Sequence, residues 1–185
     1  MEERKIRRGR CIIKEYDIRF HKKETKLGVR KKNLVFHKGD ETTYIKYLVL
    51  DMNRSFHMDE LPTEEGYCVA YSDSYEPIGL MQLSHGTEDM AGSVAFYIAL
   101  FLKLLRARYY VTLHNHPSTD GYIHNEFSSA DVLVRQKARM LTENCGVNML
   151  NDVVIYKGGY IESGDKEESR EDIINFLASF LSGET

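Results

Sequence analysis

The hydrophobic and polar positions of this chain change period several times, and the changes mark out its elements. "RCIIKEYDIRF" (10–20) and "TTYIKYLVLDM" (42–52) are short runs rich in β-branched and aromatic residues and predict strands. The polar stretch "NRSFHMDELPTEE" (53–65) follows the second. "EGYCVAYSD" (65–73) predicts a buried strand, "SYEPIG" a turn and "LMQLSHG" (80–86) the returning strand of a hairpin. Val94, Ile98, Leu102 and Leu105 then recur at helical spacing between Gly92 and Arg108, and "YYVTLHN" (109–115) follows as a central strand. Strand, helix, strand is a crossover unit. A second helix is expected over 128–146, capped by Ser128 and stopped by Gly146. "NMLNDVVIY" and "GYIES" would pair across the turn "KGG", and "SREDIINFLASFL" (169–181) reads as an amphipathic terminal helix. The fold class is therefore mixed α/β.

Composition changes the picture only at the edges. The 185 residues, 42% apolar, suffice for one core and not for two comfortable domains. The most apolar window, "SVAFYIALFLKLL" (93–105), is shorter than the roughly 20 residues of a membrane-spanning helix and carries a lysine, so no membrane role is expected. Three widely spaced cysteines, Cys11, Cys68 and Cys145, and the absence of an apolar signal segment behind the basic N-terminus point to the cytoplasm. The net charge of −3 conceals an asymmetry: residues 1–38 hold fourteen Lys/Arg against five Asp/Glu, and residues 39–185 hold eleven against twenty-three. This divides the chain into a basic N-terminal extension (1–38), which would recruit nucleic acid or an acidic partner unless it docks on its own domain, a main domain (39–165) and the terminal helix (166–185). A strand from the extension could join the main domain.

The candidate chemistry lies at the end of the central strand. His114 and His116 are two residues apart, so in a strand they face the same side. Two imidazoles leave a catalytic zinc one protein ligand short, and the best candidate acid is Asp131, in the first turn of the following helix, with Asp120 a weaker substitute. Ser128 and Asp131 also fit a capping box, S-x-x-[DE], and the two roles are compatible because serine can cap while the acid ligates.

"LSHGT" (83–87), "LHNHPS" (113–118), "SSAD" (128–131) and "LNDVVIY" (150–156) together resemble the JAB/MPN domains that carry the JAMM metalloprotease signature, and within them the RadC-like branch. The resemblance covers about residues 60–160 and implies a cytidine deaminase-like central mixed sheet flanked by helices. It further implies one zinc ion per chain held by His114, His116 and Asp131 with water as fourth ligand, a glutamate upstream as general acid/base, and Ser128 in the family's S-x-x-D. Of Glu41, Glu60, Glu64, Glu65 and Glu76, the resemblance selects Glu65 at the start of "GYCVAYSD", with Glu64 as its competitor. Zinc would bring its water toward a pKa of about 7. Glu65 would move the proton, and Ser128 would share the charge developing on the carbonyl oxygen.

The implied function is a zinc-dependent hydrolase of peptide or isopeptide bonds, acting on a peptide or protein such as a ubiquitin-like tail. Two other classes stand beside it. One is a DNA-associated, repair-linked protein, supported at residue level only by the basic extension. The other is a partner-binding domain without turnover, against which the intact ligand set counts. The chain departs from compact RadC-like loops in the longer stretch 118–128, which contains Asp120 and His124 and could close over the site. Residues 1–40 also lack the glycine-punctuated helical pattern of the helix-hairpin-helix segment found in long RadC-like chains, so a short variant is expected.

Overall fold

The computed structural model describes residues 9–85, 91–117 and 126–163. Seven strands form one mixed sheet: β1 (Arg10–His21), β2 (Glu24–His37), β3 (Glu65–Tyr71), β4 (Pro77–His85), β5 (Tyr109–Asn115), β6 (Asn148–Tyr156) and β7 (Gly159–Glu162). Their order is β2-β1-β4-β3-β5-β6-β7. The β1/β4 and β5/β6 pairs are parallel and the rest antiparallel. Helix α1 (Tyr44–Phe56) packs on one face of this sheet, and α2 (Ala91–Leu105) with α3 (Ser129–Glu143) on the other.

Strand alternation supplies both faces. Along β5, Val111 and Leu113 join the α1-side core, while Tyr110 packs among Cys68, Ile98, Phe101 and Ala138 on the opposite side. Thr112 and His114 share the Tyr110 side. The expected β3/β4 hairpin and β6/β7 pairing form, although β4 already begins at Pro77. Helix α2 carries the chain from β4 past β3 to β5, which is the predicted crossover.

One expectation is corrected. The segment "TTYIKYLVLDM" is not a strand; it supplies most of α1. Its buried residues, Ile45, Leu48, Val49 and Met52, follow i, i+3, i+4, i+7 spacing, and this apolar stripe against the sheet outweighs the β-branched content. The basic extension supplies the strand expected over 10–20 and a second one beside it: β1 and β2 pair along almost their whole length, and β1 joins β4 at Glu15–Leu80 and Tyr16–Met81. Ile13, Leu34 and Phe36 from this hairpin are buried in the α1-side core. The α1 carboxylate of Asp51, itself buried, accepts a hydrogen bond from the His37 backbone, pairs with Arg54 and meets the His37 ring at 2.7 Å, clamping helix to hairpin. Among the described residues, no helix is long and apolar enough to cross a membrane. The expected terminal helix over 166–185 lies outside the described residues.

Candidate metal centre

β5 ends where the chain turns toward α3, and this junction assembles the candidate site. His114 and His116 converge from the strand end, and their Nε2 atoms stand 3.1 Å apart. Asp131 reaches them from the first turn of α3, with Oδ1 3.4 Å from His114 Nε2 and Oδ2 3.9 Å from His116 Nε2. A tetrahedral ion with bonds of about 2.0–2.2 Å keeps its ligand atoms about 3.3–3.6 Å apart. Two imidazole nitrogens and a carboxylate at these spacings fit such an ion, and the three side chains are 11–16% exposed, accessible without being solvated surface groups.

The local sequence builds this arrangement in a definite way. Ser128 is the N-cap of α3; its hydroxyl accepts from the Asp131 backbone N–H at 3.2 Å, and its own N–H donates to Asp131 Oδ2 at 2.7 Å. The capping box and the ligand geometry are thus both present, one fixing the carboxylate that the other uses. Ser128→Ala is expected to cost about 1 kcal/mol of stability, read as a lower urea midpoint, and to weaken metal uptake by loosening Asp131.

Electrostatics follow from the pairing. Burial works to lower the His114 imidazole, but the Asp131 carboxylate beside it prevails and holds it above its ordinary value. Burial works to raise Asp131, and here His114 and the Ser128 cap prevail, holding the carboxyl well below the usual range. Asp152 and Glu64 also act on His114 with their charge.

Gly66 pairs directly with His114 across the β3/β5 ladder. A Cβ at this position would stand 2.7 Å from Ser84 Oγ and 3.9 Å from the His114 Cβ, so glycine keeps the strand surface beside the first histidine clear. Glu65, one residue earlier, faces the α1 side instead: its Oε2 accepts from the Tyr67 hydroxyl at 2.6 Å and from Gln82 at 3.4 Å. Burial raises the Tyr67 hydroxyl, and the Glu65 hydrogen bond raises it further, keeping it protonated as the donor. Glu65 is therefore outside the converging donor group, and of the two glutamates Glu64 is the one whose charge reaches His114.

Two residues that the sequence reading passed over prove important to the geometry. Asn115, between the histidines, is fully buried on the opposite face; it accepts from the Glu65 N–H at 2.7 Å and donates to the Thr63 carbonyl at 3.1 Å, tying the end of β5 to the start of β3. The alternation that turns His114 and His116 inward together requires the residue between them to face the other way, so this was available from the motif. Asp152, in "LNDVVIY", is a buried acid within an apolar strand, itself the signal of a paired carboxylate. Asp120 and His124 lie outside the described residues, as does most of the 118–128 loop.

A mixed sheet with a strand-end histidine pair answered by a helix-borne aspartate defines a JAB-type domain. The RadC-like JAB domain family matches residues 44–170, and the chain belongs to this family. No curated protein matches the chain. The β1–β2 hairpin lies before the matched range, yet completes the same sheet.

Proposed function

We propose that this RadC-like JAB domain is a zinc-dependent hydrolase of peptide or isopeptide bonds, of the JAMM type. The observation that carries the reading is the convergence of His114, His116 and Asp131 ligand atoms at tetrahedral spacing. Zinc held there would polarise a substrate carbonyl and make a hydroxide nucleophile available near neutral pH. The remaining work falls to side chains. Glu65, at the first position of β3, takes a proton from the nucleophilic water and returns it to the leaving amine, a role that requires its carboxylate to turn from Tyr67 and Gln82 toward the histidine face. Ser128, whose oxygen already accepts from the helix N-terminus, turns its hydroxyl proton toward the developing oxyanion. An extended peptide, such as a ubiquitin-like tail, is the substrate class in this reading, and the three free cysteines suit a reducing cytoplasm.

A competing assignment has its own observation: Glu64 is the acid whose charge reaches His114. Paired substitutions in zinc-loaded protein, assayed on a peptide library, separate the two. Glu65→Gln is expected to retain zinc and lose cleavage by at least about 10²-fold, with Glu64→Gln close to wild type. The reverse pattern makes Glu64 the base. Loss of zinc from Glu65→Gln overturns its role as proton carrier, and a zinc-loaded wild type that cuts nothing in the library favours partner binding without turnover.

Nucleic-acid association is supported by a different feature. Arg19, Lys22, Lys23, Lys26, Lys31 and Lys32 are exposed along the β1–β2 ribbon. Reversing Lys22 and Lys23 to Glu should weaken any DNA binding and flatten its salt dependence while sparing metal uptake; binding that is independent of salt would remove this reading.

A further inference from the structure

Behind the metal donors lies a second group of side chains that the proposed chemistry leaves unused. Thr112 stands two residues before His114 on β5, and Asp152 on β6 is its direct ladder partner. Asp152 is 4% exposed; its Oδ1 accepts the Thr112 hydroxyl proton at 2.7 Å, and its Oδ2 lies 4.0 Å from Arg135 Nη1. Arg135 sits one turn along α3 from Asp131. Its guanidinium lies over the Phe127 ring, 5.2 Å from the centroid, and Phe127 in turn meets His114 edge-on with centroids 6.4 Å apart. The contacts close a circuit from β5 through β6 and α3 back to the first histidine.

A carboxylate withdrawn from water destabilises the fold unless its surroundings compensate. Burial pushes the Asp152 carboxyl up and outweighs His114, Thr112 and Arg135, which oppose the rise. An apolar residue would fill this strand position at lower cost, so the acid calls for another explanation. The histidine site supplies one, because Asp152 holds Thr112, two residues before His114 on the same face, and meets Arg135, one turn from Asp131 on α3.

We infer that Asp152 and Arg135 are positioning residues of the metal centre. Asp152 holds the β5 floor beneath His114 through Thr112 and anchors Arg135. Arg135 ties α3 to β6, so that Asp131 stays within reach of both histidines. The inference rests on the metal-binding half of the proposed function and is independent of any substrate.

The test is titration of the full chain with Zn2+ against a chromophoric chelator, and with Co2+ followed by its visible absorption. Asp152→Asn keeps shape and the capacity to accept from Thr112. Arg135→Gln removes the cation while keeping a polar side chain of comparable length. Each is expected to weaken metal affinity about 10- to 100-fold and to alter the Co2+ spectrum. The double variant should lose less than the product of the two, because both act through one pair. Arg139→Gln, on the exposed side of α3, should bind as wild type. Affinities indistinguishable from wild type in both single variants, or a less stable metal-free chain with unchanged affinity, would overturn the inference. Wild-type protein that takes up no metal would overturn the metal reading beneath it, a separate and recognisable outcome.

Discussion

Purified protein is expected to bind about one zinc per chain, and His114→Ala or His116→Ala to lose most of it, because each removes one of only three protein ligands. The geometry makes this the sharpest test of the site. With Nε2 atoms 3.1 Å apart and Asp131 oxygens at 3.4 and 3.9 Å, no side chain among the described residues joins the donor group to replace a lost histidine. Elemental analysis and zinc titration read the result, and a wild-type chain without zinc after supplementation would end the proposal. The pH dependence has a definite sign. His114 must be neutral to bind metal, and Asp131 holds it protonated above its ordinary value of about 6.5. Zinc affinity should therefore fall as pH drops through that raised range, with proton release on binding there. In the metal-free protein the same pair contributes to stability from both sides. The His114 contribution is fully present below its unfolded value and lost as pH rises through the raised folded value. The Asp131 contribution is present above the ordinary carboxylate range and lost as pH falls toward its depressed folded value.

Removing residues 1–30 is expected to prevent folding rather than merely to weaken binding to a partner. The deletion takes away β1 and half of β2, and with them the pairing of β1 to β4 and the burial of Ile13. It strands Leu34 and Phe36, which are buried against α1, and exposes the β4 edge above the core residue Leu80. Losing Ile13, the strand pairing beside β4 and the cover over Leu34 and Phe36 together removes a large share of the roughly 5–15 kcal/mol that holds a typical domain folded. Aggregation, or loss of the cooperative melt seen for the full chain, would report it. A truncated chain that melts cooperatively and binds zinc would mean the hairpin is dispensable to the core, and would restore the picture of a detachable recruiting arm. Charge reversal at the ribbon tip is therefore the sound test of nucleic-acid binding, since Lys22 and Lys23 lie between the strands rather than in the core.

Much of the site could be read along the chain. The i, i+2 spacing of His114 and His116 on a β-rich run forces both rings to one face, and Ser128 with Asp131 announces a helix start that carries an acid. These are local rules, and local rules survive folding. The helix at 44–56 was misread for a related reason: its residues have strand-like side chains, and only the i, i+3, i+4, i+7 placement of Ile45, Leu48, Val49 and Met52 distinguishes the two. The period was the better guide than the residue types.

What the sequence by itself determined was the family resemblance, the identities of the converging donors and the capping box that steadies one of them. Tertiary structure alone decided the rest. That β1 and β2 extend the sheet depends on β1 finding the β4 edge, far away in the chain, a pairing that no local pattern specifies. The facing of Glu65 toward Tyr67 and Gln82, and the reach of Glu64's charge to His114, depend on which side of β3 meets α1. Asp152 lies behind His114 because the parallel register sets Thr112 opposite it and α3 returns Arg135 over both. Side chains brought together by register and layer packing, across separations of tens of residues, leave no period in the sequence to read.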